Sequence, residues 1–377
     1  MDNVSTPLSF TWVDQAEHLS RILDQLQQQT IIAVDTESDS LYSYFEKVCL
    51  IQISTVDQHY IIDPLALDAT PLGKIFSNPT IRKVLHASEY DVITLRRDFG
   101  FQFENLFDTM LAARILGWEK CGLGNILMTY FKVSPDKRFQ QYNWGTRPLS
   151  PDALDYATLD TQYLIDLYHL QQKLLRQNKQ VEEAEDAFVR IAQSRVAIKY
   201  FDPAASWNVK GSKDLPRSKQ GMLQALFVFR DYAARQMDLP PFKTMGDATL
   251  VRLANHPPHS MRGLKKMKGF NRAFVRKFGD GLLQILQAKP PKPAPPSPSK
   301  RPPSEAITKR YERLRDWRNE IAKKRKVEAD VILSNKTLMH IARNNPANLD
   351  ALAAANLLGN WQLNTYAKAI LSVLKTS

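Results

Sequence analysis

Cysteine is nearly absent: Cys49 and Cys121 are the only two in 377 residues. Both sit within apolar stretches and neither has metal-type spacing, which leaves no basis for a disulfide framework or a Cys/His metal site. A reduced, cytoplasmic protein is expected. No run of about eighteen apolar residues occurs, so no membrane span is expected. Met1, Asp2, Asn3, Val4 and Ser5 bring neither a basic region nor an apolar core, and no secretory signal is expected. Acidic residues are scarce in the back half. Residues 201–377 hold 13 Asp+Glu against 32 Lys+Arg, a net of +19, whereas residues 1–200 hold 26 against 19, a net of −7. An acidic front and a basic back suggest cation binding in one and polyanion binding in the other, with plain solubility the alternative for the basic part.

What is present is a globular composition, 44% hydrophobic and 24% charged, in a chain long enough for two or three domains. Its organising stretch is Ile31-Ile32-Ala33-Val34-Asp35-Thr36-Glu37. An apolar, β-branched run reads as a buried strand. Alternate side chains share a face, so Asp35 and Glu37 project together. Two adjacent carboxylates repel and lose hydration unless a cation lies between them; taken alone, the pair reads equally as a strand end with solvated acids.

Along the chain, residues 12–29 read as an amphipathic helix with Ala16, Leu19, Ile22, Leu23 and Leu26 at helical spacing. After the organising strand, Val48–Ile53 and Tyr60–Asp63 read as two more strands, giving a three-strand antiparallel meander. Arg82–His86 reads as a fourth strand, Glu89–Phe99 as a helix, Asn105–Asp108 as a short strand, and the rest to about Tyr200 as mostly helical. The pattern breaks around Asp202-Pro203 and Gly211–Pro216. The expected organisation is a mixed α/β domain over 1–205, a helical domain over 206–287, a proline-rich linker over 288–304 and a helical domain over 305–377. The two helical modules read as copies: Met222, Leu226, Phe229 and Tyr232 match Ile307, Tyr311, Leu314 and Trp317, and Thr249–Ala254 matches Thr337–Ala342.

Two further acids stand out. Asp91 falls just after a strand, at a helix start, where acids are favoured anyway. Tyr156 and Asp160, four apart on a helix, share a face. The order Asp-x-Glu, then Asp91, then Tyr-x-x-x-Asp resembles the DEDD exonuclease superfamily in its tyrosine-containing form. Val48–Ile53, Phe107-Asp108-Thr109 and Trp144–Leu149 before Asp155-Tyr156-Ala157 look like ribonuclease D, and the tail resembles two helicase-and-RNase-D C-terminal (HRDC) domains. Ser38 departs from that pattern, which usually has an aromatic residue there.

The resemblance implies a ribonuclease H-like mixed sheet followed by two small all-α domains. It implies 3′-to-5′ hydrolysis of RNA from a free 3′ hydroxyl, with release of nucleoside 5′-monophosphates. The implied substrates are tRNA precursors or other small structured RNAs, and the implied protein is a monomer. Two divalent ions, Mg²⁺ or Mn²⁺, are implied: Asp35 bridging both, Glu37 and Asp160 completing the first, Asp91 holding the second. Hard cations want oxygen ligands, and two of them about 4 Å apart supply the chemistry of phosphodiester hydrolysis. Tyr156 is implied to orient the attacking water. Asp108, Asp152 and Asp155 are expected to be structural and His86 packed, while Trp144 and Arg147 are left between strand entry and structure. The runs Lys265–Gly269 and Lys323–Lys326 are either phosphate contacts or solvated helix faces. The alternatives are a DNA-directed exonuclease with the same site and a silent RNA-binding adaptor.

Overall fold

The run Ile31–Val34 lies at the centre of a six-stranded mixed sheet. The computed structural model describes residues 9–196, 200–270, 272–293, 295 and 302–375. The first residues, read above for a signal, and residues 294 and 296–301 of the proline-rich stretch lie outside the described residues. The strands are β1 (Thr11–Val13), β2 (Ile31–Ser38), β3 (Val48–Ser54), β4 (His59–Ile62), β5 (Arg82–Leu85) and β6 (Leu106–Asp108), in the order β1-β4-β3-β2-β5-β6. The expected meander is there: β2, β3 and β4 pair antiparallel. β5 runs parallel to β2, and β6 parallel to β5.

One expectation is corrected. The first helix does not begin at residue 12. Thr11-Trp12-Val13 pairs in parallel with Tyr60–Ile62, and helix α1 covers Ala16–Gln27. Aromatic and β-branched residues favour the open sheet edge over a helical turn here. The stretch after β6 is mostly helical, as expected: helix α2 (Glu89–Phe99) precedes β6 and helix α3 (Thr109–Ile115) follows it, and after an irregular stretch that includes a helical segment over 123–131 come α4 (Pro151–Gln162), α5 (Leu164–Gln177) and α6 (Val181–Ala192). The apolar residues of that irregular stretch, Phe139, Trp144 and Leu149, pack with Leu50, Ala153 and Ala157 between the sheet and α4.

The described residues divide into two compact units. The first joins the sheet and its helices to residues 303–377. The last module, with α10 (Glu305–Arg325), α11 (Asn335–Asn344) and α12 (Asn360–Lys375), is held there by charge pairs. Arg325 donates to both carboxylate oxygens of Glu183 at 2.8 and 2.6 Å and to the Tyr366 hydroxyl at 2.9 Å. Arg114 reaches Glu328 at 3.0 Å and Asp330 at 2.6 Å. One of the four residues of the Lys323–Lys326 run therefore faces inward as a structural ion pair.

The second unit holds residues 197–302 together with residues 39–47. Its helices are α7 (Arg217–Met237), α8 (Asp247–Asn255) and α9 (Arg272–Gln287). The Tyr44 hydroxyl donates to Asp231 at 2.6 Å, and the Asp238 carboxylate accepts from the backbone N–H groups of Tyr44 and Phe45 at 2.9 and 3.1 Å. The Lys243 ammonium stands 3.6 Å from the Tyr42 ring centroid, a cation–π contact. The start of the proline-rich stretch is packed: a Cβ on Gly221 would meet the Pro291 carbonyl oxygen at 1.9 Å.

The two helical modules share one internal device. Arg230 donates to the Met245 carbonyl and the Asp247 carboxylate, 15 and 17 residues on. Arg318 donates to the Leu333 carbonyl and the Asn335 side chain, again 15 and 17 residues on. This sets Arg230 against Arg318, with Leu226 against Leu314, both fully buried. The match of Met222, Leu226, Phe229 and Tyr232 to Ile307, Tyr311, Leu314 and Trp317 is thus three residues out of register. Three residues is close to one helical turn, so the apolar stripe repeats almost equally well in either alignment.

The Arg325–Glu183 pair gives a prediction. Glu183 is largely buried, and removing one partner of a buried pair leaves an uncompensated charge, at a cost of roughly 3 kcal/mol. Arg325→Met is expected to lower the melting temperature, and Arg325→Met combined with Glu183→Gln to recover part of the loss. Calorimetry of the three chains checks this; a double variant no more stable than the single one contradicts it.

Candidate active site

β2 outruns its parallel neighbour. Its pairing with β5 covers Ile31–Ala33, while its pairing with β3 continues to Ser38. Asp35 and Glu37 therefore stand where the parallel side of the sheet has ended, the place where open α/β sheets bind ligands. The chain leaving β5 turns back over this gap. Ala87 takes a left-handed φ of 59°, unfavourable for a residue with a Cβ. Asp108, at the end of β6, secures that turn. Its carboxylate accepts from the backbone N–H of Ala87 at 3.2 Å and of Ser88 at 2.7 Å, from the Ser88 hydroxyl at 2.8 Å and from the Leu111 N–H at 2.9 Å. Asp91 thus enters the first turn of α2 beside β2, where its carboxylate accepts a short hydrogen bond from the Thr36 hydroxyl.

The fourth acid arrives on α4, capped by Ser150, whose hydroxyl accepts from the Ala153 N–H at 3.3 Å. α4 packs across β2, β3 and β4. Its Tyr156 ring has Phe139 at 5.6 Å and Trp144 at 6.2 Å between centroids, so the irregular stretch before α4 props this side chain. Arg147 anchors that stretch: it holds Asp63 with two contacts of 2.6 Å and donates to the carbonyls of Cys49, Trp144 and Thr146. Trp144 is buried. Both residues are structural.

Carboxylate oxygens of Asp35, Glu37 and Asp160 lie within 4.8 Å of one another. Asp91 stands outside that trio but close enough to act on Asp35 and Glu37. Burial, then the like charges of Asp91, Asp160 and Glu37, push the Asp35 carboxyl well above the usual carboxylate range. Burial, then Asp160 and Asp91, do the same to Glu37. Burial raises Asp91 to about 7 against the pull of the Thr36 hydroxyl, and raises Asp160 to about 7 against that of the Tyr156 hydroxyl. Burial and the surrounding negative charge raise the Tyr156 phenol far above its ordinary value, so it stays protonated. Converging like charges of this kind are stabilised by hard cations with oxygen ligands. On the neighbouring strand Gln52 is buried, with neither amide atom bonded to protein. A donor set of oxygens with an orphaned amide beside it fits a divalent metal site.

The other expectations fall as follows. His86 is packed: its Nδ1 stands 2.8 Å from the Thr109 hydroxyl, and burial pushes its pKa down to about 4. Asp108 is structural, as expected, holding the Ala87 turn and the start of α3, while Thr36 and Gln52 carry no signal in the sequence. Only the register across β2 and β3 places Gln52 at the site.

Comparison with known proteins agrees with this geometry. A 3′-5′ exonuclease family model matches residues 10–176, and an HRDC domain model matches twice, at 219–286 and 308–374. Ribonuclease D of Zymomonas mobilis is 32% identical over 71% of this chain and 70% of its own length. The chain belongs to the ribonuclease D family. Exosome complex exonuclease RRP6 of Saccharomyces cerevisiae is 29% identical over 73% of this chain, which spans only 40% of that protein's length. The crystal structure of the catalytic core of RRP6 from Trypanosoma brucei superposes with a TM-score of 0.69 at 30% identity, covering 76% of this chain and 80% of the other. This ribonuclease D family member thus carries the exonuclease domain and two HRDC domains. No helix among the described residues is long and apolar enough to cross a membrane.

The raised carboxyls give a prediction in the metal-free protein. Unfolded, Asp91 and Asp160 release their protons near 3.8; folded, they hold them to about 7. The folded state is therefore penalised increasingly from pH 4 to 7, and fully above. In EDTA, Asp160→Asn is expected to melt higher than wild type, by more at pH 8 than at pH 5. Saturating Mg²⁺ at pH 8 is expected to reverse the order. A melting difference independent of pH contradicts this.

Proposed function

We propose that the protein is a 3′-to-5′ exoribonuclease that hydrolyses RNA from a free 3′ hydroxyl and releases nucleoside 5′-monophosphates. The observation that carries this reading is the convergence of Asp35, Glu37 and Asp160 within 4.8 Å, with Asp91 on Thr36 and Tyr156 hydrogen-bonded to Asp160. Asp35, Glu37, Asp160 and Asp91 would hold two divalent cations, Mg²⁺ or Mn²⁺. When bound, such ions supply Lewis acidity and charge neutralisation at the scissile phosphate. The residues of the chain do the placing. Asp35, which has the other three acids as electrostatic neighbours, would be the shared ligand, Glu37 and Asp160 would complete one position, and Asp91 would support the other. Tyr156 is a donor, not a base, because its phenol stays protonated. Its hydroxyl orients the attacking water while the aromatic packing of Phe139 and Trp144 holds its ring.

RNA as substrate is favoured by the names of the relatives, ribonuclease D and an exosome exonuclease. The 3′ ends of tRNA precursors or other small structured RNAs are the proposed targets, and a monomer is proposed to act. Neither Cys49 nor Cys121 is in a disulfide, in keeping with a reducing, cytoplasmic setting.

Asp35→Asn is expected to lower turnover of a 5′-labelled RNA by at least about a thousandfold, several kcal/mol of transition-state stabilisation, while leaving RNA binding nearly intact. EDTA is expected to stop wild type, and Mg²⁺ or Mn²⁺ to restore it. A 3′-phosphate on the RNA is expected to block degradation. Degradation of DNA of the same sequence at an equal rate would overturn the RNA assignment, and full activity of Asp35→Asn would overturn the site.

A further inference from the structure

β3 is buried along its whole length, and Gln52 is its one long polar side chain. Gln52 is 1% exposed, and neither its amide nitrogen nor its amide oxygen has a hydrogen-bond partner in the protein. A buried carboxamide in this condition is costly, and an apolar residue of the same length avoids the cost. Its place in the sheet is specific. Gln52 pairs directly with Asp35 across the antiparallel ladder, and directly opposed residues share a face. Its neighbours on that face show which side of the sheet it is. Ser54 lies 2.6 Å from the Thr161 hydroxyl on α4, and Leu50, opposite Glu37, packs with Ala153 and Ala157 of α4. Gln52 thus lies between strand and helix, on the face shared by Asp35, Glu37 and the helix bearing Asp160.

We propose that Gln52 is a positioning residue for the metal site: its carboxamide N–H group donates to the Asp35 carboxylate and fixes which oxygen lone pairs face the bound cations. This rests on the metal-dependent reading above and adds to it a residue outside the four acids. The terminal torsion of a glutamine is soft, so the donor swings onto the carboxylate without moving the strand. Holding a ligating carboxylate by a hydrogen bond from behind is how outer groups tune metal affinity, with about 10- to 100-fold lost on their removal.

The test uses the full chain without RNA. Mn²⁺ binding to wild type and to Gln52→Met is measured by titration calorimetry, and melting is followed in EDTA and in Mn²⁺. Gln52→Met is expected to bind Mn²⁺ about tenfold more weakly. It is also expected to melt in EDTA at or above the wild-type temperature, because an orphaned amide has gone, and to gain less on adding Mn²⁺. A merely structural glutamine would not move these two quantities in opposite directions. In an Asp35→Asn background the Gln52→Met change is expected to have no further effect on Mn²⁺ affinity. Wild-type affinity in Gln52→Met, or an equal loss in the Asp35→Asn background, overturns the proposal. Should Gln52→Met fail to fold, Gln52→Leu carries the same comparison. Absence of Mn²⁺ binding by wild type itself would instead remove the metal reading, and this proposal with it.

Discussion

Four carboxylates of like charge, drawn together inside the protein, are the constraint that the rest of the first unit answers. Left to themselves they would separate or hold their protons; both Asp91 and Asp160 are raised to about 7. Bringing such groups together costs folding energy, so the scaffold must supply it. β2 is suited to that task. It sits inside the sheet, flanked by β3 and β5, with Ile32, Ala33 and Val34 fully buried. A strand held on both edges cannot shift register to part its two acids. The other two acids come in on helices packed against this sheet, so a single rigid element is the reference for all four.

The supporting contacts differ in kind because the acids arrive by different routes. Asp91 depends on a tight turn at Ala87, and a buried carboxylate, Asp108, satisfies the N–H groups that the turn exposes. Asp160 and Tyr156 depend on the angle of α4, set through an irregular stretch that would otherwise be floppy. There the bidentate Arg147–Asp63 contact and the arginine's three carbonyl partners replace regular secondary structure. A planar guanidinium with five donors can cross-link carbonyls in a loop as no lysine can. The pair therefore works at a distance from the chemistry, through the position of the Tyr156 ring.

These differences also explain what could be read beforehand. Asp35 and Glu37 were legible from a period-2 pattern on an apolar run, because a strand places alternate side chains without tertiary help. Asp91 and Asp160 were not legible that way. An acid in a first helical turn, or four residues after a tyrosine, is common, and only the family resemblance singled them out. The meander and the α2 boundaries, Glu89–Phe99, came from local pattern alone. β1 did not, since a three-residue edge strand gains its identity only by pairing with β4. Gln52 carries no local signal: one polar residue in a strand otherwise built of apolar ones. Its importance depends on a cross-strand partner 17 positions away.

The duplicated modules show how far a shared skeleton leaves surface chemistry free. Both bury an arginine that bonds a carbonyl 15 residues on and a helix-start side chain 17 residues on. Both end their first helix on a left-handed residue, Asp238 in one and Lys326 in the other. Their charge differs. Residues 201–302 hold 19 Lys+Arg against 6 Asp+Glu, a net of +13, whereas residues 303–377 hold 13 against 7, a net of +6. In the second copy three arginines are held by protein partners: Arg310 by the Ala342 carbonyl, Arg318 by Leu333 and Asn335, and Arg325 by Glu183. An ion pair with a buried carboxylate takes a cation out of the field that a polyanion would feel at long range. The basic back half read from composition is therefore two parts of unequal net charge, and in the second of them Arg325 is paired with a glutamate of the helices around the sheet.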